Sequence, residues 1–234
     1  MCGRIALFTP PKKMARLLEA SLVAGIDPEG RASWNIGPTR HLDGVHADDG
    51  ARVLERYRWG LLPSWAKDAS FGSKTFNARA ETVASKPSFR SAFKTRRLLI
   101  PVDGFYEWDR RAAGKPQPHF FSRRDGAPLV FAGLFEYWRD PQEPDAPVVQ
   151  TATVITTSAG ADIDEIHDRM PVVLEQQSFD LWLSEDPDEL DAVASLLRPA
   201  EAGTLTHHSV SRAVGNVRND GPELIEPDAP STLL

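Results

Sequence analysis

The chain has 234 residues, of which 41% are hydrophobic and 26% are charged, values typical of a globular protein. It contains one cysteine, which excludes an internal disulfide and a zinc site built from several cysteines. No apolar run approaches the roughly 18 residues of a membrane-spanning helix, and the first residues lack a secretory signal pattern. We therefore expect a soluble protein of a reducing compartment.

Charge is distributed unevenly along the chain. The net charge is −6, from 27 Lys and Arg against 33 Asp and Glu. Residues 51–124 nevertheless hold 16 Lys and Arg against 6 Asp and Glu, so the rest of the chain carries the acidic excess. This asymmetry favours a basic, anion-binding surface on an otherwise acidic protein, the alternative being that folding mixes the segments.

The predicted elements begin with a strand over CGRIALF, followed by one helix over 10–25 that starts at Pro11 and ends at Gly25. Runs rich in β-branched and aromatic residues predict strands in RRLLIPVDG, PLVFAGLFEYW and VVQTATVITTS. Capping-box spacing of Asp162 and Glu165 predicts a short helix in DIDEIHDR. Helices are also predicted in SFDLWLSE and PDELDAVASLL. This pattern predicts a single α+β domain without a parallel βαβ repeat.

The single cysteine is Cys2, directly behind the initiator methionine. It is either a small buried residue at the start of a strand or a reactive group. If Met1 is removed, as is usual before a small residue, Cys2 carries an α-amine and a thiol on adjacent carbons. This pair can condense with an aldehyde to form a thiazolidine, or the thiol can attack an acyl carbon with the amine as base.

Two segments combine aromatic and polar residues in a pattern that is unusual for residues with a purely structural role. SWNIGPT (33–39) predicts a polar-aromatic loop, and WGLLPSWAKD (59–68) is followed by NARAET (77–82). Trp65, Lys67 and Arg79 in this region suit stacking on bases and contact with phosphates. The alternative is that Trp59 or Trp65 belongs to the core.

Two further segments contain candidate proton-transfer groups. Glu107 lies among three aromatic residues in GFYEW, and a carboxyl group desolvated in this way can act as a general acid or base near neutral pH. An outward-facing strand glutamate is the alternative that the local alternation favours. His167, in IHDRMPVVL, lies beside Asp168 and Arg169, which permits a polar cluster without establishing one.

Taken together and in order, seven motifs resemble the SRAP family, the SOS-response-associated peptidase proteins that crosslink to abasic sites in single-stranded DNA. The resemblance extends from Cys2 to about Leu224 and implies one SRAP-like domain over 2–224, followed by a C-terminal tail over 225–234. The motifs are MCGR, WNIGPT, WGLLPSWAKD, NARAET, RRLLIPVDGFYEW, IHDRMPVVL and SRAVGNVRNDGPEL.

The resemblance implies an α+β domain with a barrel-like, mainly antiparallel β core, peripheral helices and a positively charged groove. It implies no metal or cofactor, a monomer, single-stranded DNA with abasic sites as partner, no membrane partner, and a cytoplasmic location, nucleoid-associated in a bacterium. The catalytic residues that it implies are Cys2, Asn77, Glu107 and His167. The DNA-binding residues that it implies are Arg4, Pro38, Trp65, Arg79, Thr156 and Arg169.

The resemblance implies that Cys2 forms a thiazolidine with the ring-opened aldehyde, Asn77 fixes the geometry, Glu107 moves protons, and His167 assists sugar-ring opening. Some family members have two successive aromatics where this chain has Trp65 and Ala66, which predicts a weaker wedge against a duplex. Two other functions remain open at this stage. One is an N-terminal-nucleophile cysteine peptidase, perhaps self-processing, and the other is a passive single-stranded DNA-binding module.

Overall fold

Two sheets build the protein, and the computed structural model describes residues 2–109, 111, 114–143 and 145–228. The α-helices are short and lie outside the sheets. The strands are β1 (Ile5–Leu7), β2 (Ala20–Leu22), β3 (Ser33–Ile36), β4 (His41–Asp48), β5 (Ala51–Trp59), β6 (Asn77–Arg79), β7 (Arg97–Val102), β8 (Gly104–Asp109), β9 (Gln117–Arg123), β10 (Leu129–Trp138), β11 (Val149–Ser158), β12 (Arg169–Pro171) and β13 (Leu205–Ser209). The α-helices are α1 (Pro11–Leu17), α2 (Arg90–Thr95), α3 (Phe179–Leu183) and α4 (Leu190–Ser195).

The larger sheet has the order β12-β11-β10-β7-β4-β5-β2. A parallel contact between β5 and β11, with Thr151 opposite Arg58, joins two strands of this sheet and closes a partial ring. Apolar side chains such as Trp59, Phe131 and Trp182 fill it and are fully buried. The predicted α+β class, with a barrel-like and mainly antiparallel core and peripheral helices, is therefore confirmed.

The smaller sheet has the order β13-β9-β8-β1-β3 and is antiparallel throughout. One of its faces, with Phe105 and Phe121, packs on the main core. The opposite face, with Tyr106 and Phe120, forms a second apolar cluster beneath the 210–225 segment. Because strand side chains alternate, residues of β8 at odd positions turn toward the main core.

The prediction of one helix over 10–25 is wrong in its second half. Helix α1 ends at Leu17, and Glu19 adopts φ 53°, a left-handed conformation that a continuing helix does not allow. The next residues form β2, which pairs in parallel with β5. The open edge of β5 therefore decides the structure of a segment whose apolar spacing also suits a helix.

The predicted helix in DIDEIHDR is also wrong, because residues 161–166 form successive turns. Asp162 does not cap this segment; its carboxylate accepts the backbone N–H groups of Gly203 and Leu205. In the segment predicted as a tail, Pro227 forms a bridge with Val210. Residues 229–234 of that segment lie outside the described residues. No helix in the described ranges is long and apolar enough to cross a membrane.

The corner between β7 and β8 predicts a measurable packing constraint. A Cβ atom at Gly104 would lie 2.2 Å from Phe120 Cζ and 2.6 Å from the Phe121 carbonyl oxygen. We therefore expect Gly104→Ala to lower the free energy of unfolding by about 1–3 kcal/mol in denaturant titrations. Gly215→Ala is the control, because a Cβ there would meet nothing within 4 Å. Equal stability of the two variants would contradict this account of the corner.

Candidate active site

The start of the chain is held against β6 by a side-chain amide. Asn77 Nδ2 donates a hydrogen bond of 2.6 Å to the carbonyl oxygen of Cys2. This fixes the orientation of the amide, since a carbonyl oxygen can only accept. Asn77 Oδ1 is buried and accepts no hydrogen bond from the described residues. Asn77 itself is positioned by β6, which pairs in parallel with β11 at Val154.

The Cys2 thiol is wholly buried. Burial raises the pKa of this thiol far above its ordinary value, because the thiolate loses hydration. The charge of Glu107 raises the Cys2 pKa further, whereas the Arg4 backbone N–H acts in the opposite direction. In this state the sulfur is therefore a neutral thiol at physiological pH.

Glu107 is directed inward from β8 and is 3% exposed. The interpretation as an outward-facing strand glutamate, which local alternation favoured, is therefore wrong. Glu107 shares the inward face of β8 with Phe105, and the antiparallel pairing of β1 with β8 brings the chain start toward it. Its Oε2 atom lies 3.8 Å from His167 Nε2.

His167 follows the 161–166 turns and projects toward Glu107. Its Nδ1 atom accepts the Arg169 backbone N–H at 2.9 Å. Asp168 Oδ1 lies 3.1 Å from the same nitrogen, but the Asp168 side chain is 88% exposed and can rotate into water. His167 Nδ1 also lies 3.2 Å from the Arg169 carbonyl oxygen, so its contacts fit a ring with or without a proton on Nδ1, and Nε2 faces the Glu107 carboxylate.

Arg4 is fixed by a residue that sequence analysis did not single out. Asn35 Oδ1 accepts from Arg4 Nη1 at 2.6 Å, and the same nitrogen donates to the Val214 carbonyl. Asn35 Nδ2 also donates to backbone carbonyl oxygens of the 214–219 segment. The Arg4 guanidinium lies over the Trp108 ring, and burial lowers its pKa. The only sequence signal for Asn35 was an amide in the middle of a predicted apolar-aromatic segment.

Arg169 is held in place by a carboxylate and a backbone carbonyl. Its two terminal nitrogens contact the Glu81 carboxylate at 2.5 and 3.0 Å, and Nη2 donates to the Thr156 carbonyl at 2.6 Å. The Thr156 side chain is wholly buried, and its hydroxyl donates to the Ala78 carbonyl. In this structure Thr156 supports Arg169 from inside β11, and the expected contact of Thr156 with DNA stays a prediction.

The other three residues expected to bind DNA are accessible. Pro38 is half-buried, behind Gly37. Trp65 is 55% exposed and packs edge-on against Phe71. Arg79, at the end of β6, is exposed and makes no side-chain hydrogen bond or ion pair with a described residue.

The aromatic residues of the 59–68 segment divide between core and surface. Trp59 is fully buried, as one interpretation required, and donates to the Phe76 carbonyl. Ala66 is also buried, beside Leu62, and its carbonyl accepts the Trp138 indole N–H. A second large aromatic at position 66 would not fit this loop conformation. Packing therefore explains why this chain departs from the pattern of two successive aromatics.

The basic excess of residues 51–124 is only partly available at the surface. Several of its arginines form ion pairs with acids within 3.5 Å, so they are neutralised locally. The pairs are Arg52 with Asp180, Arg56 with Asp43, Arg96 with Glu136, Arg111 with Asp109, and Arg123 with Asp125 and Glu175. Exposed cations without such pairs among the described residues include Lys67, Lys74, Arg79 and Lys86. These four lie between residues 67 and 86, within or next to the segments that carry Trp65 and Asn77.

Cys2, Asn77, Glu107 and His167 thus meet in one site, with Arg4 and Arg169 at its margins. The described residues include no group of three or more histidine, cysteine, aspartate or glutamate side chains placed to hold a metal ion. The site combines a thiol at residue 2, a clamped backbone carbonyl and a carboxylate facing an imidazole. Such a set can perform nucleophilic addition with proton transfer.

The fold and the site define an α+β protein in which a cysteine at residue 2 lies near a buried glutamate and a histidine. The chain belongs to the SRAP (SOS response associated peptidase) family, whose model matches residues 1–217. The resemblance inferred from the motifs is therefore confirmed.

Relatives with high coverage support this assignment. The chain is 37% identical over 228 residues to the abasic site processing protein YoqW of Bacillus subtilis, covering 97% of this chain and 99% of the relative. It is 35% identical to the abasic site processing protein HMCES of Gallus gallus, covering 84% and 66%. A crystal structure of a Bacteroides thetaiotaomicron protein shares the fold, with a TM-score of 0.84, 22% identity and coverage of 97% and 100%.

The electrostatic coupling of Glu107 to Cys2 predicts thiol reactivity. In Glu107→Gln one cause of the raised thiol pKa is removed, so the Cys2 pKa falls and the thiolate fraction at pH 8 increases. We expect alkylation of Cys2 by iodoacetamide, followed by mass spectrometry, to be several-fold faster than in the wild type. Glu175→Gln is the control, because Glu175 pairs with Arg123 and does not act on the thiol. Identical rates in all three proteins would show that Glu107 is not coupled to the sulfur.

Proposed function

We propose that the protein captures abasic sites in single-stranded DNA through a thiazolidine formed by Cys2. The observation that carries the proposal is the meeting of Cys2, Asn77, Glu107 and His167 in one buried site. Its relatives in Bacillus and Gallus are named abasic site processing proteins, which supports the same substrate for this chain. The chemistry requires a free α-amine, so Met1 must be removed before Cys2 reacts.

The first step opens the sugar. The ring form of an abasic site is a hemiacetal, and opening it requires loss of the anomeric hydroxyl proton and protonation of the ring oxygen. Glu107 accepts the hydroxyl proton and passes it on to the ring oxygen, while His167 hydrogen-bonds from Nε2 to that oxygen as the C–O bond breaks, so both groups return to their starting state. The two groups lie 3.8 Å apart, which allows both to reach one anomeric centre.

The second step forms the two bonds to C1′. The Cys2 amine adds to the aldehyde, and Glu107 transfers the two amine protons in turn to the aldehyde oxygen, which leaves as water. The thiol sulfur then adds to the imine carbon, and its proton passes to the nitrogen. The product contains a C–N and a C–S bond at C1′, and one water is released overall.

Asn77 keeps residue 2 in place during both steps. Its Nδ2 holds the Cys2 carbonyl, which leaves the amine and thiol on the opposite side of Cα free to turn toward C1′. The buried Oδ1 is suited to accept a hydrogen bond from the amine or from a sugar hydroxyl. Asn77 therefore acts as a positioning residue, because holding two reacting groups in the right orientation lowers the barrier to bond formation.

Binding of the strand is assigned to the groups at the margins of the site. Arg4, Arg79 and Arg169 contact phosphates, and Trp65 stacks on a base, while Pro38 shapes the groove beside Arg4. Glu81 and Thr156 orient Arg169. The single-stranded preference follows from the use of stacking, because a paired base has no free face.

The proposal is tested by mass spectrometry with an oligonucleotide that contains one abasic site. We expect an adduct whose mass is that of the protein without Met1 plus the oligonucleotide minus one water. Cys2→Ala abolishes it. Cys2→Ser keeps the amine and a stalled imine, so it gives a stable adduct mainly after borohydride reduction. A tag left ahead of Cys2 also prevents the reaction.

Three outcomes would contradict the proposal. Normal adduct formation by a tagged, uncleaved protein would exclude the amine, whereas cleavage of a peptide substrate without any adduct would favour the peptidase. Binding without an adduct, together with a free amine confirmed at Cys2, would leave only a single-strand-binding module. Glu107→Gln provides an internal check, since it should keep DNA binding but slow adduct formation by roughly 10²-fold or more.

The phosphate contacts predict a salt dependence. Single-strand affinity should fall with salt, and Arg79→Ala should reduce the slope of log K against log salt by about 0.7, the value for one phosphate of a single strand. The loss should be the same for all sequences, because phosphates carry no sequence information. Arg198→Ala is the matched control, an exposed arginine paired with Glu201. Fluorescence anisotropy checks both, and equal slopes in all three proteins would remove Arg79 from the interface.

A further inference from the structure

A second concave region adjoins the active site, and the mechanism above does not use it. A cavity of about 680 Å³, called here the Asp43 cavity, lies between the start of β4, the chain after β1, and the 217–220 segment. Its volume is within the range of small-molecule sites in proteins. Its lining includes Phe8, Ile36, Arg40, Asp43 and Arg218.

Asp43 is the carboxylate of this cavity whose hydrogen-bonding capacity is least used by the described residues. Its side chain is 6% exposed, and its one side-chain contact there is with Arg56 Nε at 3.4 Å, a long hydrogen bond. Glu29 is already paired with Lys12. Asp220 already accepts from the Ser33 hydroxyl and the Trp34 backbone N–H. A buried carboxylate can accept several hydrogen bonds, and burial raises the pKa of Asp43.

The rim of the cavity is basic, and its lining combines apolar with polar side chains. Arg31, Arg40 and Arg218 are exposed, and their side chains form no ion pair or hydrogen bond with a described residue. Phe8, stacked on Trp34 at 6.0 Å, provides an aromatic wall. A ligand that fits this arrangement has a flat apolar body, N–H donors at one edge and a phosphate at the other.

The cavity is contiguous with the site around Cys2. Ile36, in its wall, pairs with Ile5, and Ile5 is three residues from Cys2, a separation of about 10 Å along a strand. A Cβ at Gly37 would lie 3.5 Å from Arg4 Nε and 3.7 Å from Val217 Cγ1. Arg4 belongs to the site and Val217 lines the cavity, so only this glycine separates the two.

We propose that the Asp43 cavity binds an unpaired guanine adjacent to the abasic site in the same strand. Asp43 accepts the N1–H and N2–H donors of guanine, and the rim arginines bind the adjoining phosphate. Guanine is the base with two adjacent donors on its Watson–Crick edge. On the same edge, adenine and cytosine carry one amino donor beside an acceptor nitrogen. That nitrogen would face the second carboxylate oxygen, which is also an acceptor. This inference rests on the proposed function, since it assumes that the strand passes Cys2.

The first experiment tests the cavity without any abasic site. Titration calorimetry with GMP, IMP, AMP and CMP should give the tightest binding for GMP, roughly tenfold tighter than IMP, which lacks the 2-amino group. Asp43→Asn should remove this difference. Asp49→Asn is the matched control, since Asp49 lies in the β4–β5 turn, outside the cavity, and asparagine tolerates its φ of 48°. Arg218→Ala should weaken GMP but not guanosine.

The second experiment tests the strand. Oligonucleotides with a stable tetrahydrofuran abasic analogue, which cannot crosslink, carry guanine or inosine on either side of the analogue. Wild-type protein should bind guanine roughly tenfold more tightly than inosine on one side only. The comparison needs no variant, so it holds even if Asp43→Asn is poorly folded.

The outcomes separate this inference from the proposed function. Equal affinity for GMP and IMP, or an unchanged preference in Asp43→Asn with an intact fold, overturns guanine recognition. A preference for GMP without any effect of the flanking base overturns the assignment to the DNA strand and leaves a site for a free nucleotide. If the wild-type protein forms no adduct but still prefers guanine, the capture chemistry is contradicted and the guanine site in the Asp43 cavity is not.

Discussion

The hydrogen bond from Asn77 to the Cys2 carbonyl is the contact on which the site depends. A chain terminus is ordinarily mobile, so a reactive residue there has no fixed position unless another element holds it. Asn77 reaches Cys2 because β6 adds in parallel to β11, a strand inside the larger sheet. The partial barrel therefore serves the chemistry directly: it supplies a rigid strand from which a single amide positions the second residue of the chain.

The same architecture explains how Glu107 and His167 come to lie close together. Glu107 comes from the smaller sheet, and Asn77 and His167 are attached to the larger one, so the site lies where the sheets meet. Arg4 and Arg169 stand at its margins, and each is committed to the scaffold, through Asn35 and Glu81 respectively. The two guanidinium groups are thus held in fixed positions at the margins of the site.

Much of the fold and of the candidate site could be predicted from the sequence, because short motifs contain the residues expected to carry the chemistry. The long strands β7, β10 and β11 were predictable from their β-branched and aromatic composition, and the fold class followed from them. Helix α1 was predicted too long because apolar spacing cannot reveal that the edge of β5 is open to β2. The direction of Glu107 was ambiguous for the same reason, since alternation defines two faces of a strand but not which face is buried.

Residues that hold other side chains in position were the hardest to predict. Asn35 bonds to a segment about 180 residues away, and such a contact leaves no local pattern. Thr156 was expected at the DNA surface on resemblance alone, whereas its position in β11 places the side chain inside the protein. Ala66 looked like a missing aromatic, but it is buried in a cluster with Leu62 and Trp138, where a large side chain would not fit.

In the proposed capture, the neutral state of the buried thiol sets the order of the two bond-forming steps. Burial and Glu107 raise the pKa of the sulfur, which makes it a poor nucleophile before substrate is present, so the amine adds to the aldehyde first. The imine that results places a basic nitrogen within two bonds of the sulfur-bearing carbon. That nitrogen accepts the thiol proton as the C–S bond forms, which is the route given for the second step. On this proposal ring closure is activated by the intermediate itself, and the unreacted protein keeps a neutral thiol.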